Sequence, residues 1–344
     1  MTNIRFRAEW EPQSAILVAW PHAGTDWAMM LDRVQHCYRE LAHAITRDEH
    51  LVVVTPEPET VRTALAHLDA NRISIYQVPT NDTWTRDYGP LAVDVDGQPR
   101  LLDFTFNAWG MKFAADRDNL VSERLQQLAA LPCQLDNHRD MVLEGGSIET
   151  DGRGTIMTTA ACLLSPNRNA TWSRHRIEQE LNRRLGAQKV LWVEHGFIPG
   201  DDTDCHIDTM ARFAPGNVIV HATARPGDAE CEALQRMAEQ LRTFTDAYGH
   251  PYRVVPLPAP EPIVDDEGNR IPATYANFLI TNASVLVPIY GCPQDYEASV
   301  ILQDLFPGRR VLGIDCRALI EQHGSLHCAT MQLPALQALE KDTY

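Results

Sequence analysis

A weak internal repeat constrains this chain more than any other feature. Read as strand and helix patterns, the sequence comes back to the same order about every fifth of its length. An apolar strand is followed by a hairpin with a tight glycine turn, and the hairpin by an amphipathic stretch. One unit runs from ISIYQVP (73–79) through TRDYGPLAVDVDG and LLDFTF to an amphipathic stretch over 116–131. The next has CQLD (133–136), the hairpin MVLEGGSIETDGRGTIMTTAACLL and a helix over 172–185. A third has KVLWVEH (189–195), HIDTMARF, the turn APGN, VIVHAT and a helix over 228–247. A fourth has YRVVPLP (252–258), YANFLITNASVLVPIYG and a helix over 295–305. The fifth is split: RRVLGIDC and LHCATMQLP lie at the C-terminus, whereas AILVAWP (15–21) and a helix near 27–46 lie at the N-terminus.

The split predicts a ring of ββαβ-like units closed by pairing the two ends of the chain, which removes exposed sheet edges. An open α/β sheet is the alternative. Tight hairpins favour the ring, because a purely parallel βαβ fold has no use for them. Neither GxGxxG nor GxxxxGK[ST] occurs, so a nucleotide-binding sheet has no support. The 344 residues would allow two domains, but no Ser/Gly-rich linker or charge block divides them. The whole chain, 1–344, is therefore read as a single domain, with Pro256 to Pro272 as a long exposed loop.

The formal net charge is −16, which argues against nucleic acid as a partner, since phosphate binding draws on clustered Lys and Arg. A cationic small molecule fits better. No apolar stretch is long enough to span a bilayer, and the first residues lack the apolar core of a secretory signal. The eight cysteines form no CxxC pair, which points to a reduced, cytoplasmic protein.

Polar clusters recur where the hairpins begin: Trp84-Thr85-Arg86-Asp87, Glu144-Gly145-Gly146-Ser147, Asp204-Cys205-His206-Ile207-Asp208 and His327-Cys328. In a ring those ends converge on the axis. Taken alone, Asp87 reads as a turn residue and Glu144 as a loop cap. His206 and Asp208, two apart on a strand, face one side, but His221 and His323 supply no matching spacing, so no metal is expected. Cys328, after Gly324 and His327, is the candidate nucleophile, whereas Cys162 and Cys292 read as small buried hydrophobes.

Converged, these groups suit a guanidinium. Asp87 and Asp208 match its donor fork from two sides, and Cys328 attacks the central carbon. His206 gives a proton to departing ammonia and then takes one from water. Glu144 is expected to orient His206 and keep it protonated. The substrate's own charge favours the thiolate.

WTRDYGP (84–90), LEGGSIETDGRGT (143–155), SPNRN (165–169), DDTDCHID (201–208), PATYANFLITN (272–282) and GSLHCATMQLP (324–334) closely resemble the agmatine deiminase and bacterial-type peptidylarginine deiminase family of guanidine-modifying enzymes. The resemblance spans nearly the whole chain. It implies a five-bladed, pseudo-symmetric α/β propeller (pentein) and cofactor-free hydrolysis of a guanidinium to a ureido group through a covalent cysteine intermediate. By motif, the nucleophile falls on Cys328, the acid/base on His206, the guanidinium-binding carboxylates on Asp87 and Asp208, the glutamate on Glu144 and a substrate-lining tryptophan on Trp84. A homodimer is also implied. Where the agmatine branch reads GGGNIHC, this chain reads Gln322-His323-Gly324-Ser325-Leu326-His327-Cys328, with His323 in place of a glycine.

The substrate's far end decides between agmatine and arginine. A site for arginine's carboxylate should hold an Arg or Lys there, and Arg86, Arg168 and Arg212 are the candidates. Asp201, Asp202 and Asp204 instead offer negative charge for an ammonium, with Asp202 chosen as the contact. Agmatine hydrolysis to N-carbamoylputrescine and ammonia is thus the expectation, and a deiminase of arginine or peptidyl-arginine the alternative. A Cys-Glu-Lys amidase would need a lysine near the thiol, and Lys112, Lys189 and Lys341 sit in no such motif. A non-catalytic guanidine-binding propeller is the remaining class.

Overall fold

The computed structural model describes residues 2–336. It contains five small sheets on a common plan: an antiparallel pair, which is a hairpin in four of them, then a helix, then a strand parallel to the pair's second arm. The third sheet is the simplest. Ala211–Ala214 and Val218–His221 form an antiparallel hairpin, and Arg253–Pro256 returns parallel to Val218–His221 after the helix Cys231–Leu241. The sheet centred on His50–Thr55 is assembled from both ends of the chain. Met331–Pro334 pairs antiparallel with Gln13–Ala19, which pairs in parallel with His50–Thr55 across the helix Leu31–Thr46.

The units begin one element later than the sequence pattern indicates. Ile73–Gln77, read as opening the first unit, closes the sheet of Gln13–Ala19 and His50–Thr55. Lys189–Val193, Arg253–Pro256 and Arg310–Asp315 likewise pair in parallel with the strands that precede their helices. The reason is geometric: a parallel crossover needs the helix between its strands, so the strand after a helix belongs with the hairpin before it.

Local chemistry sets the elements. The helix Leu31–Thr46 buries Val34, Cys37, Tyr38, Leu41, Ala42 and Ile45, a three- and four-residue spacing that turns one face to its sheet. The helix Arg174–Leu185 starts where Ser173 accepts a hydrogen bond from the Arg176 amide, and stops at Gly186, whose φ of 71° favours glycine. Between Leu257 and Phe278 the backbone is largely irregular, as expected of the proline-rich loop. Among the described residues no helix is long and apolar enough to cross a membrane.

The polar clusters take a different form from the expected strand starts. Thr85–Tyr88, Gly145–Ser147 and Ile207–Thr209 are single helical turns just ahead of strands Leu91–Val95, Ile148–Thr150 and Ala211–Ala214. His206 and Asp208 therefore do not alternate along a strand. Both are nonetheless fully buried, His206 as the extended residue that caps the turn and Asp208 within it.

Candidate active site

The turns converge on a cavity of about 200 Å³, lined by Trp84, Asp87, Trp109, Asp202, His323 and Cys328 together with Asp26, Asp82, Phe113, Thr203, Thr209, Gln322 and Gly324. Of the residues singled out from sequence, Trp84, Asp87, Asp202 and Cys328 reach the cavity wall. His206, Asp208 and Glu144 are fully buried one layer behind it.

Gly146 explains how closely these layers approach. A Cβ there would lie 2.7 Å from both Asp87 Oδ1 and His206 Nδ1, and 3.0 Å from Asp208 Oδ2. Only a glycine lets the three groups crowd one backbone amide, which itself donates to Asp87 Oδ1 at 2.9 Å.

Cys328 sits on the turn before Met331–Pro334. Its thiol lies 3.6 Å from Asp208 Oδ2 and 3.2 Å from the Asn277 side-chain amide. Burial, then Asp208 and Asp87, push its pKa well above the ordinary thiol range. The thiol is thus protonated until a cation offsets those carboxylates.

The two carboxylates differ. Asp87 accepts from Trp109 Nε1 at 2.9 Å and from the Gly146 amide, yet burial and the neighbouring Asp208 raise its pKa well above the usual range. Asp208 accepts from His327 Nδ1 at 2.7 Å through Oδ2, and that partner holds its carboxyl below the usual range despite burial. Asp208 Oδ1 has no hydrogen-bond partner among the described residues. Neither ring nitrogen of His206 has one either, and its Nδ1 lies 3.6 Å from Asp87 Oδ1.

The expectation that Glu144 keeps His206 protonated is corrected. Both Glu144 oxygens accept from Arg168 Nε, at 2.8 and 3.0 Å. Burial lowers His206 to about 3, so the ring is a neutral acceptor. Cys162 is fully buried as expected, but its thiol belongs to the same pocket of groups: Glu144, Cys162 and His206 each have one donor atom within 4.8 Å of the others. Arg168 already compensates the Glu144 charge, so this triad does not fit a cation.

The backbone carrying His206 is strained. Asp204 and Cys205 both adopt φ of 66°, the left-handed region that L side chains avoid. Hydrogen bonds hold the conformation: the Cys205 amide donates to Asp201 at 2.7 Å, the His206 amide to Thr203 Oγ1 at 3.1 Å, and Arg168 to Asp204 at 2.6 Å. These bonds also correct the reading of the acidic run. Asp201 is spent on the turn, and Asp204 is paired with Lys112 and Arg168. Only Asp202 of the three lines the cavity, where Asp26 and Asp82 join it.

The arginines proposed for a substrate carboxylate are committed elsewhere. Arg86 bonds Glu9 and Gln332, Arg168 bonds Glu144 and Asp204, and Arg212 bonds Glu149, Glu9 and the Phe278 carbonyl. Among the described residues, neither Arg nor Lys lines the cavity.

Asn277 was not singled out from sequence. Its amide nitrogen donates to Cys328 Sγ and to Asp208 Oδ2, and its oxygen accepts from the amides of His327 and Cys328. Trp109 and Glu9 were also unassigned.

A buried thiol between two carboxylates, with an imidazole behind them, on an α/β pentein framework defines a hydrolase suited to guanidine chemistry. The chain belongs to the Porphyromonas-type peptidyl-arginine deiminase family, whose family model matches residues 5–334. It is 35% identical to the agmatine deiminase of Stutzerimonas stutzeri over 355 residues, covering 95% of each chain. The agmatine deiminase of C. jejuni, solved with substrate bound, superposes with a TM-score of 0.90 at 32% identity, covering 97% of each chain. A structure provisionally named an arginine deiminase, from Porphyromonas gingivalis, superposes at 0.91 with 48% identity over 96% of this chain and 98% of that one.

Proposed function

We propose that this chain hydrolyses agmatine to N-carbamoylputrescine and ammonia. The observation that carries the reading is a thiol beside two carboxylates, in a cavity whose other acidic lining groups are Asp26, Asp82 and Asp202. A guanidinium at the floor and an ammonium at the mouth match those charges. Agmatine has both.

In the proposed sequence the guanidinium takes the free Oδ1 of Asp208 on one side and Asp87 on the other. Its charge offsets the two carboxylates that keep Cys328 protonated, so the thiol proton passes to His206 as sulfur bonds to the guanidinium carbon. His206 returns that proton to the leaving nitrogen, the C–N bond breaks, and ammonia departs from a thiouronium cation. Water then adds to the same carbon, giving a proton to His206. The C–S bond breaks, the ureido product leaves, the sulfur regains a proton and one proton is released. Asn277 steadies the sulfur throughout, and Glu144, locked by Arg168, shapes the wall behind His206.

The same proposal takes the five sheets as the blades of one propeller, residues 1–344 forming one catalytic domain closed by its two termini. Its eight free thiols suit a reducing, cytoplasmic setting, and a homodimer is the oligomer the resemblance implies. The 48% identity to the P. gingivalis structure favours arginine, free or at a peptide's end, as the second reading. A cavity lined, among the described residues, by neither Arg nor Lys argues against it.

The test is ammonia and ureido-product release from agmatine, L-arginine and a peptide ending in arginine, supplied in parallel. Turnover of agmatine at least about a hundredfold above the others is expected. Equal turnover, or arginine alone, would overturn the assignment of the tail.

A further inference from the structure

His327 precedes the candidate nucleophile, yet its side chain turns away from the cavity. Its Nδ1 lies 2.7 Å from Asp208 Oδ2 and its Nε2 lies 2.7 Å from Glu9 Oε1, and the ring is fully buried. Beyond Glu9 stand Arg86 at 3.0 Å and Arg212 at 2.6 Å, and Arg212 is paired with Glu149. The His327 amide donates to Asn277, and its carbonyl accepts from Arg86. Cys328, Asp87 and His206 complete the charged and titratable surroundings on the cavity side.

Counting protons decides the state of this assembly. Two hydrogen bonds joining one ring to two carboxylates require two protons. A neutral imidazole brings one, so the second must sit on the ring or on a carboxyl. Glu9 is held well below the usual range by Arg86, His327 and Arg212, and Asp208 is held low as well. Burial, Arg212 and Arg86 lower the pKa of the ring, but a proton on Glu9 would leave the buried Arg86 guanidinium with no counter-charge and Arg212 with Glu149 alone, which costs more.

We infer that His327 is an imidazolium clamped between Glu9 and Asp208, and that it serves as a positioning residue for the reaction. It takes up one oxygen of Asp208, keeps that carboxylate ionised, and turns Oδ1 toward the guanidinium site. Glu9, from the N-terminal segment, is its counter-charge on the side away from the cavity. The activity arm of this inference rests on the guanidine reading; the protonation arm does not.

Two measurements test it on the full chain. The first is nitrogen NMR of protein labelled with 15N-histidine, at pH 7 without substrate. One ring should carry protons on both nitrogens, and Glu9→Gln should move the signals of that ring selectively. A His327 ring with one unprotonated nitrogen would overturn the inference, whatever the substrate. The second is the pH profile of Glu9→Gln, which keeps a hydrogen-bond acceptor and removes the charge. Without its counter-charge, His327 gives up its second proton at lower pH. The alkaline limb of kcat/KM should therefore move down by about one pH unit, with about a tenfold loss at pH 8, mostly in KM, that is largely recovered at pH 6. An equal loss at every pH, the mark of a merely structural contact, would overturn the positioning role. His327→Asn, where it folds, should remove the doubly protonated signals altogether.

Discussion

The floor and the mouth of the cavity are both acidic, but they are built on opposite rules. At the floor the carboxylates have counter-charges. Asp208 meets His327, His327 meets Glu9, Glu9 meets Arg86 and Arg212, and Glu144 meets Arg168. At the mouth, Asp26 and Asp82 form no ion pair among the described residues; burial with Asp26 beside it pushes Asp82 up to about 6, and burial pushes Asp118 behind it well above its ordinary value. Asp87 belongs to the floor by position and to the mouth by chemistry, because its partners are neutral donors. The contrast teaches that Asp208 and Glu9 are ionised before substrate arrives, whereas Asp82 and Asp87 await a cation to complete them.

The sharpest way to break this comparison is to remove the thiol that the floor surrounds. Cys328→Ser should lower kcat by about 10⁴-fold or more, as removal of a nucleophile does. Cys162→Ser, at a second buried thiol near Glu144 and His206, should cost at most about tenfold. Steady-state ammonia release separates them, and the reverse order would reassign the nucleophile.

The two flanking carboxylates give the next largest effect. Asp208→Asn should cost about 10³-fold in kcat/KM, because it also removes the negative charge facing the buried His327 ring. Asp87→Asn should cost about 10²-fold, since its lost partners are neutral. The pH dependence distinguishes them further. Asp87 titrates above the usual carboxylate range and Asp208 below it. As pH falls, cation binding is therefore lost first through Asp87, and the acid limb of kcat/KM should vanish in Asp87→Asn and persist in Asp208→Asn. An acid limb unchanged in both would remove the distinction between the two carboxylates.

How much of this was legible in the sequence follows the same division. The thiol, the imidazole and three carboxylates were readable because their residue types are chemically loud and recur at matching repeat positions. Asn277 occupies the corresponding place in the fourth unit, on the turn before Leu279–Ile280. The apolar run YANFLITN masks it, and no polar cluster was assigned to that unit. Glu9 had no local signal: its role exists only because the N-terminal segment packs behind the C-terminal turn, a contact across 318 residues. Strand pairing was misread by one element because apolar periodicity reports that a strand exists, not which neighbour it joins. Of the mouth, the acidic run around 201–204 was visible, but not that strained backbone and Lys112 use up two of its three carboxylates.

The smallest expected effect tests whether the mouth sacrifices stability for binding. Asp82 accepts from Trp27 Nε1 at 3.1 Å and from the Thr83 amide at 2.7 Å, with no cation to offset its charge. Its folded pKa of about 6 stands above the ordinary 3.8. The folded state thus holds a proton that the unfolded chain has released. Its contribution to stability is complete below pH 4, declines through pH 4 to 6, and stays lost at neutral pH. Asp82→Asn keeps an acceptor for both donors and removes the charge, so at pH 7 it should stabilise the fold by about 1–3 kcal/mol. That gain should fade toward zero as pH is lowered to 4 in parallel denaturant titrations. The same variant should raise KM for a substrate with a cationic tail several-fold and leave kcat within about twofold, because in the proposed binding mode the mouth meets the tail and not the reacting carbon. Stabilisation that persists unchanged at pH 4 would mean that packing, not charge, limits the mouth, and the contrast with the floor would lose its electrostatic basis.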